Sequence, residues 1–383
     1  MAILPHDVTR EILCRLGVKD LLRFRCVSKP WLSLIDDPDF IKLHLSHSLK
    51  TNSNFTLVLG HINPSLFSVD FYPPKTEQTH KYPVEESHEG KFIMLLGSCN
   101  GLLALSVGDN EAFSLWNPWT GKSQMLPTTG TEFPPWESCR PSIYLGFGYD
   151  PISDDYKLVR ITQFYGVKDG IFATEVKVYS LRTNSWRRIK DFPFHLSHRH
   201  RGVLVNNALH WEVSTPFKLN TQRLVAAFDL GTEEYRLVEL PDCLGRGLRM
   251  DLYVVGGCLC LVVCYGEFGS IDIWIMKEHG VKESWTKLIS IKYCELIEYL
   301  SYVVPVAFSR NGRKVLLKVD CKTLVWLDLR SSSLEKIASV PRPCIFVSEM
   351  MVKSLVPLNG NGTTMFGNEN HHGGKKRKRS TTG

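Results

Sequence analysis

Ser98-Cys99-Asn100-Gly101-Leu102-Leu103-Ala104-Leu105, followed by Phe113-Ser114-Leu115-Trp116-Asn117-Pro118-Trp119-Thr120-Gly121, reads as a pair of short strands bounded by turn residues. The unit recurs. A second copy runs Gly146-Phe147-Gly148-Tyr149-Asp150-Pro151, Tyr156–Val159 and Val176–Leu181 to Trp186. A third has Val203–Trp211, then Ala227-Phe228-Asp229-Leu230 to Tyr235. A fourth spans Val254–Cys264, Ile271–Met276 and Trp285, and a fifth Val315–Val319 and Val325–Leu329 to Leu334. Three copies share a ruler: Ser180 and Trp186, Asp229 and Tyr235, and Asp328 and Leu334 are each six residues apart. In each pair the polar residue opens a tight turn and the apolar one re-enters the next strand.

Equivalent points recur roughly every 50–60 residues, room for four strands and their loops. One such sheet cannot bury both faces alone, so neighbouring units must stack, and closing the ring removes the outer edges. The expectation is a β-propeller over residues 55–358. Five blades read complete. A sixth can be assembled from Phe55–Leu59 and Leu66–Phe71 with Ile345–Met350 and Val352–Leu355, joining the two ends of the domain. A pair of β-sandwiches is the rival arrangement.

Upstream the period changes to that of helices. Pro5 suits a first helical turn and Asp7 the positive end of the helix dipole, with Val8, Ile12, Leu13 and Leu16 at helical spacing and Gly17 as the C-cap. Asp20 can N-cap a second helix carrying Leu21, Leu22, Phe24 and Val27. Pro30 marks the next break, Trp31, Leu34 and Ile35 a third helix, and a short helix follows from Phe40 to about Leu49. So small a module cannot bury these groups within itself. It either caps its own downstream domain or binds a partner, and spacing alone leaves both open.

Composition sets the frame. The 383 residues suit one small and one large domain. No apolar run reaches membrane-spanning length, and the N-terminus has no basic start and apolar core of a signal peptide. Eleven cysteines without such a signal are expected as free thiols. Of the net charge of +7, Lys375, Lys376, Arg377, Lys378 and Arg379 supply five, so the body shows no signature of nucleic-acid binding.

The N-terminal segment, residues 2–46, closely resembles an F-box. Leu4-Pro5-x-Asp7, Ile12-Leu13-x-x-Leu16, Val18-Lys19-x-Leu21 through Lys29, and Trp31 carry the resemblance. Gly17, where the family usually has Pro, and Pro30 depart from the pattern at helix breaks. The repeats resemble the F-box-associated domain of a large plant family related to kelch propellers. That likeness rests on Ser98–Leu102, Leu115–Gly121, Gly146–Asp150 and Asn206-x-x-Leu209-His210-Trp211. The resemblance implies the non-catalytic substrate-recognition subunit of an SCF-type ubiquitin ligase. It would bind a Skp-type adaptor, and through it cullin and RING subunits, while the propeller holds a client protein for degradation. By position, Leu4, Pro5, Ile12, Leu13, Leu16, Leu21, Leu22 and Val27 would form or support the adaptor contact. The chain is similar both to members that restrain immune receptors in plant defence and to pollen S-locus members. A propeller enzyme or sugar-binding module, and a non-degradative scaffold, are the alternatives.

Loop lengths suggest the client face. The A–B and C–D turns are short, whereas Gly130–Pro141, Phe164–Phe172, Lys190–Arg201, Ser214–Arg223, Pro241–Met250 and Tyr293–Tyr302 are long and would share the opposite face. Trp136, Phe164, Tyr165, Phe192, Phe194, His195, His198, Arg199, His200, Arg201, Arg246 and Tyr299 would make it rich in the aromatic and basic groups of interface hot spots. Packing of these aromatics within their own loops is the competing reading. Cys258, Cys260 and Cys264 fall on one strand face and read as core rather than metal ligands. Asp154-Asp155 and Glu85-Glu86 read as solvated turn residues. No nucleophile elbow, phosphate loop or dinucleotide fingerprint is visible, and no cofactor or metal is called for. Residues 359–383 have the composition of a disordered tail, and the block 375–379 suits nuclear import, for a protein of nucleus and cytoplasm.

Overall fold

Four helices open the chain: α1 (His6–Cys14), α2 (Val18–Phe24), α3 (Lys29–Ile35) and α4 (Pro38–Thr51). The Ser28 hydroxyl accepts from the Trp31 amide at the start of α3, and the Asp37 carboxylate accepts from Asp39 and Phe40 at the start of α4. Pro30 and Pro38 sit in first turns, where a missing N–H costs nothing. Asn52, left-handed at φ 50°, ends α4. The computed structural model describes residues 5–358, apart from 61–64, 71–76, 83–92, 109, 111, 133–140, 166–171, 197–200, 215–222, 243, 245–248, 267–268, 293–302, 320–322 and 340–346.

Three local expectations shift. Pro5 stands one residue before α1, its carbonyl accepting from the Thr9 amide. Gly17 does not cap α1, which ends at Arg15. It is the extended residue before α2 (φ −70°, ψ 150°), and its carbonyl accepts from Asp20 and Leu21. Asp20 therefore lies inside the first turn of α2 rather than at its cap, and there its charge still meets the helix dipole.

The remainder is a ring of six antiparallel sheets. β1 (Phe55–Gly60), β2 (Ser65–Asp70) and β3 (Glu77–Lys81) begin it. β4 (Ile93–Cys99), β5 (Leu102–Val107), β6 (Ala112–Asn117) and β7 (Lys122–Met125) form the second blade. The third is β8 (Ser142–Asp150), β9 (Asp155–Tyr165), β10 (Phe172–Ser180) and β11 (Ser185–Ile189). In the fourth, the inner strand is split into β12 (His195–Leu196) and β13 (Val203–Val205), both pairing β14 (Ala208–Ser214), with β15 (Arg223–Asp229) and β16 (Tyr235–Val238) outside. β17 (Arg249–Val255), β18 (Cys258–Cys264), β19 (Ser270–Met276) and β20 (Trp285–Lys292) make the fifth. β21 (Val303–Phe308), β22 (Lys314–Val319), β23 (Thr323–Asp328) and β24 (Leu334–Ser339) make the sixth. Finally β25 (Val347–Val352) pairs with β1, so the chain's last strand completes its first blade. The closure is one late strand plus three early ones, not two plus two: β3 supplies the outer strand, and Lys353–Leu355 is not a strand.

The six-residue ruler has a chemical cause. Asp229 accepts from the amides of Gly231 and Thr232, and Asp328 from those of Arg330 and Ser331. The Ser180 hydroxyl accepts from Thr183. Asn117 makes the same turn in the second blade, accepting from Trp119 and Thr120. In blades two, three, four and six the C–D turn is thus closed by a side-chain oxygen at the end of the C strand; in blade five the Met276 sulfur takes that place, accepting from the Gly280 amide.

The core is layered between blades. Leu158 and Tyr179 of blade three meet Leu102, Ala104 and Leu115 of blade two in one buried layer. Val159, Ile161 and Val178, on the other face, meet Trp211 and Phe228 of blade four. Cys260, Ile271 and Ile273 of blade five pack on Val315 and Leu317 of blade six. Leu316 and Val306 of blade six face Leu57 and Phe67 of blade one across the closure. Alternate residues of one strand serve different layers, which is why the strands read as almost continuously apolar.

The helical module sits on the face that carries the A–B and C–D turns. Ile41 and Leu45 of α4 pack on the layer between blades two and three. Lys42 pairs with Asp154 of the β8–β9 turn at 2.5 Å. Leu355, just past the closing strand, enters the module's own core with Leu13, Leu21, Ile35 and Phe40. His44, buried on α4, donates from Nε2 to the Leu16 carbonyl at 2.9 Å, and burial pushes its pKa down. The module therefore caps its own domain through α4 and keeps α1 to α3 turned outward.

Candidate docking surfaces

The outward surface of the module sets apolar side chains among charged ones. Among the described residues, the exposed large hydrophobic side chains between residues 5 and 52 are Val8, Ile12, Val27, Leu32, Leu43 and Leu49. Val8 and Ile12 lie one turn apart on α1 and line an open groove with Asp7, Glu11 and Arg15. Val27, 61% exposed, follows α2. Of the residues assigned to the adaptor contact, Pro5, Ile12 and Val27 are exposed, and Leu16 and Leu22 are half-buried against the module core. Leu13 (1%) and Leu21 (0%) are fully inside, so they can only support the surface from beneath. Leu4 lies outside the described residues. Val8, read on the same helical stripe as Ile12, was not assigned to the contact, and Leu32 was not singled out. Phe24 meets Trp31 edge-on at 5.5 Å, and Arg25 pairs with Asp36 at 2.8 Å, which holds α2 against α3.

The opposite face of the ring carries the B–C and D–A connections, and most of their residues fall in the undescribed stretches. Trp136, His198, Arg199, His200, Arg246 and Tyr299 lie there, as do Glu85 and Glu86. Tyr165 pairs through its backbone with Phe172 at the end of the β9–β10 ladder. Two aromatics assigned to this face are interior. Phe164 is the penultimate residue of β9 and is buried, because that strand runs eleven residues and carries the side chain into the sheet. Phe192 is buried among Phe194, Trp211 and Tyr235, with ring centroids 5.6, 6.1 and 5.1 Å away. Phe194 is half-buried against the same layer, and His195 faces the Ser214 hydroxyl from Nδ1 at 3.2 Å. Arg201 reaches inward: it pairs with Glu349 on the closing strand and lies 3.4 Å from the Leu95 carbonyl. It joins blade four to blades one and two across the centre of the ring.

Buried charge elsewhere is structural. Lys157 places its ammonium 2.9 Å from Asp150, 2.6 Å from the Leu230 carbonyl and 3.4 Å from Glu233, between blades three and four. Asp155 is not the solvated turn residue expected: it is buried and accepts from the Arg182 amide and the Ser180 hydroxyl, tying the A–B turn to the C–D turn. Asp154, held below the usual carboxylate range by Lys42 and Tyr149, links the ring to α4. His210 donates from Nδ1 to the Val203 carbonyl (3.2 Å), leaving Nε2 to accept from His279 Nε2 (3.0 Å). Asn206 and Arg236 face His279 Nδ1 at 3.2 and 3.3 Å, so both rings sit in a neutral chain of donors and acceptors. Burial pushes His210 down to about 3. Cys260 is buried in the layer between blades five and six, with Cys264 at its margin, and burial pushes the Cys260 thiol up. Among the described residues, no group of three or more His, Cys, Asp or Glu could hold a metal ion, and no helix is long and apolar enough to cross a membrane.

Comparison with known proteins accounts for both modules. The F-box domain family matches residues 1–43, and the F-box associated beta propeller domain family matches residues 55–337. F-box protein CPR1 of Arabidopsis thaliana is 36% identical over 93% of this chain and 89% of its own length. F-box protein At4g22390 of the same plant is 32% identical over 93% and 90%. Among solved structures, an oligogalacturonate lyase from Vibrio parahaemolyticus aligns over 73% of this chain and 72% of its own at 11% identity, with a TM-score of 0.42. Such a distant likeness carries no argument about activity. A helical module and a six-bladed ring, matched separately and again together along nearly the whole length of plant relatives, place this chain in the family of F-box proteins with an F-box associated beta propeller domain.

Proposed function

We propose that this protein is the substrate receptor of an SCF-type ubiquitin ligase: α1 to α3 dock on a Skp-type adaptor, cullin and RING subunits follow through it, and the loop-rich face of the propeller holds a client. The observation that carries this reading is the division of the module's surface. One side is committed to the ring through Ile41, Leu45 and Lys42, and the other presents Val8, Ile12, Val27 and Leu32 to solvent. Apolar groups left exposed on so small a module, two of them, Val8 and Ile12, in one groove, are what a partner would cover. Because the module packs on the short-turn face at blades two and three, the opposite face is the one we assign to a client. The receptor would act by raising the effective concentration of client near a charged conjugating enzyme, with no side chain of its own in the chemistry.

The client we put forward is an immune receptor destined for degradation, on the strength of the resemblance to defence-related members. The Lys375–Arg379 block supports a nuclear pool alongside a cytoplasmic one. The full-length chain should capture a Skp-type adaptor from purified components, and Val27→Asp should abolish capture without changing the melting temperature. Failure of the wild-type chain to bind the adaptor would sink the proposal. With the adaptor contact disabled, proximity labelling should trap the client, and removal of residues 375–379 should shift the protein out of the nucleus.

A further inference from the structure

Two motifs in the second blade, Ser98–Leu102 and Leu115–Gly121, are explained neither by ring closure nor by the adaptor surface. In the structure they converge on the same six residues, Lys353–Leu358, which follow the closing strand. The Asn117 amide donates to the carbonyls of Ser354 (3.2 Å) and Val356 (2.9 Å), while its oxygen closes the β6–β7 turn. The Ser354 hydroxyl donates to the Asn100 carbonyl at 2.7 Å. Gly101, at φ +87°, leaves the space that Ser354 fills: a Cβ there would lie 2.1 Å from the Ser354 oxygen. Lys353 donates its amide to the Asn54 carbonyl (2.8 Å), where the chain leaves α4, and sets its ammonium 5.1 Å over the Trp119 ring. Side chains then alternate in purpose. Leu355 enters the core of the helical module, whereas Val356 and Leu358 enter the layer between blades two and three.

We propose that Lys353–Leu358 is a positioning strap, gripped by Asn117 and seated over Gly101, that fixes the docking module on the propeller and so sets the distance and angle between adaptor and client. This inference rests on the receptor reading above. A strand-to-helix joint at 52–54 alone would let the module swing. Ile41, Leu45 and Lys42 hold α4 on blades two and three, and the strap adds a further attachment whose side chains are shared between both bodies. Asn117 and Leu355 are positioning residues: neither is expected to touch adaptor, client or ubiquitin.

The test uses the full chain in a ligase reconstituted with a Skp-type adaptor, cullin, RING subunit and conjugating enzyme. It reads self-modification, in which a lysine amine of this chain takes ubiquitin from the enzyme's thioester and frees the thiol. Asn117→Asp keeps the oxygen that closes the turn but sets a carboxylate against the two strap carbonyls. Adaptor affinity should stay within about threefold of wild type, while the initial transfer rate to the dominant lysine falls about tenfold or more and the modified sites broaden. Small-angle scattering of the adaptor complex should show a wider distribution of distances. Leu355→Ala should reproduce the loss, and Leu355→Met, which keeps the volume, should restore it. An unchanged site pattern and rate in Asn117→Asp would overturn the strap. So would loss of adaptor binding in parallel with transfer in both Asn117→Asp and Leu355→Ala, because the segment would then only stabilise the module. Wild-type chain that does not bind the adaptor would instead refute the receptor reading.

Discussion

Ile12 and Leu13 are neighbours in sequence and opposites in environment, 49% and 1% exposed. Truncating each to Ala should therefore separate binding from folding. Full burial of an Ile side chain is worth about 1.5–3 kcal/mol, and about half of Ile12 still faces water, so roughly 1 kcal/mol is left for a partner to gain. Ile12→Ala should weaken a Skp-type adaptor about fivefold. The lost contacts with its own module are offset in part by the higher helix propensity of Ala, and the melting temperature should barely move. Leu13→Ala empties a site packed by Val18, Leu21, Phe40 and Leu355 and should destabilise the helical module by about 3–5 kcal/mol. Adding Val8→Ala and Val27→Ala to Ile12→Ala should bring the loss of affinity to about 2–3 kcal/mol, near two orders of magnitude. Titration calorimetry with purified adaptor measures the first effect, and scanning calorimetry with hydrogen exchange on α1 measures the second. A triple variant that binds within twofold of wild type would refute the assignment of this face. An Ile12→Ala chain that melts as early as Leu13→Ala would show that Ile12 belongs to the core.

Further outcomes are open to direct measurement. Gly17 already holds φ −70°, its Cβ position meets nothing nearer than 3.6 Å, and among the described residues its amide makes no hydrogen bond to another main-chain group; Gly17→Pro should raise stability by about 0.4–1 kcal/mol in denaturant melts through the unfolded chain. Lys157→Ala leaves the buried Asp150 without its cation, while Glu233 keeps Arg187, and should cost about 3 kcal/mol, with no effect on adaptor affinity. His210 stays neutral in the fold down to about 3, whereas in the unfolded chain it takes up a proton near its ordinary value. Its contribution is complete above pH ~6.5 and shrinks as pH falls, by about 2 kcal/mol at pH 5. His210→Gln should flatten that part of the stability–pH curve, and an unchanged slope between pH 7 and 5 would disprove the assignment.

The ring was legible because its turns are chemical. A polar side chain six residues ahead of a re-entering apolar one is what an Asx or Ser turn needs, and Asp229 and Asp328 make that turn as the spacing implies. The layers were legible too, since strands buried on both faces must be apolar throughout. Strand ends were not. A period of two says which residues alternate, not where alternation stops, so Phe164 read as a loop residue although the β9–β10 ladder carries it inward. Phe192 was misplaced for a related reason: a non-strand segment between blades can be as buried as a strand when it fills a wedge, here among three aromatic rings. On the helical module, spacing identified the apolar groups but could not divide Leu13 from Ile12, because the inner side is defined by α4 and by Leu355, far along the chain. The double grip of Asn117 on Ser354 and Val356 is made to backbone carbonyls, which carry no side-chain signature.

The shared use of Leu355 has a consequence for how the protein is made. Translation delivers the four helices first, yet a residue of their core arrives only after the sixth blade and the closing strand. At about 5–20 residues per second the helices wait on the order of tens of seconds for it. A nascent or prematurely terminated chain therefore presents an incompletely packed docking module above an open ring. On the receptor reading proposed above, entry into a ligase would be tied to completion of synthesis: a fragment able to recruit the machinery without holding a client would be disfavoured by the order in which its parts emerge from the ribosome.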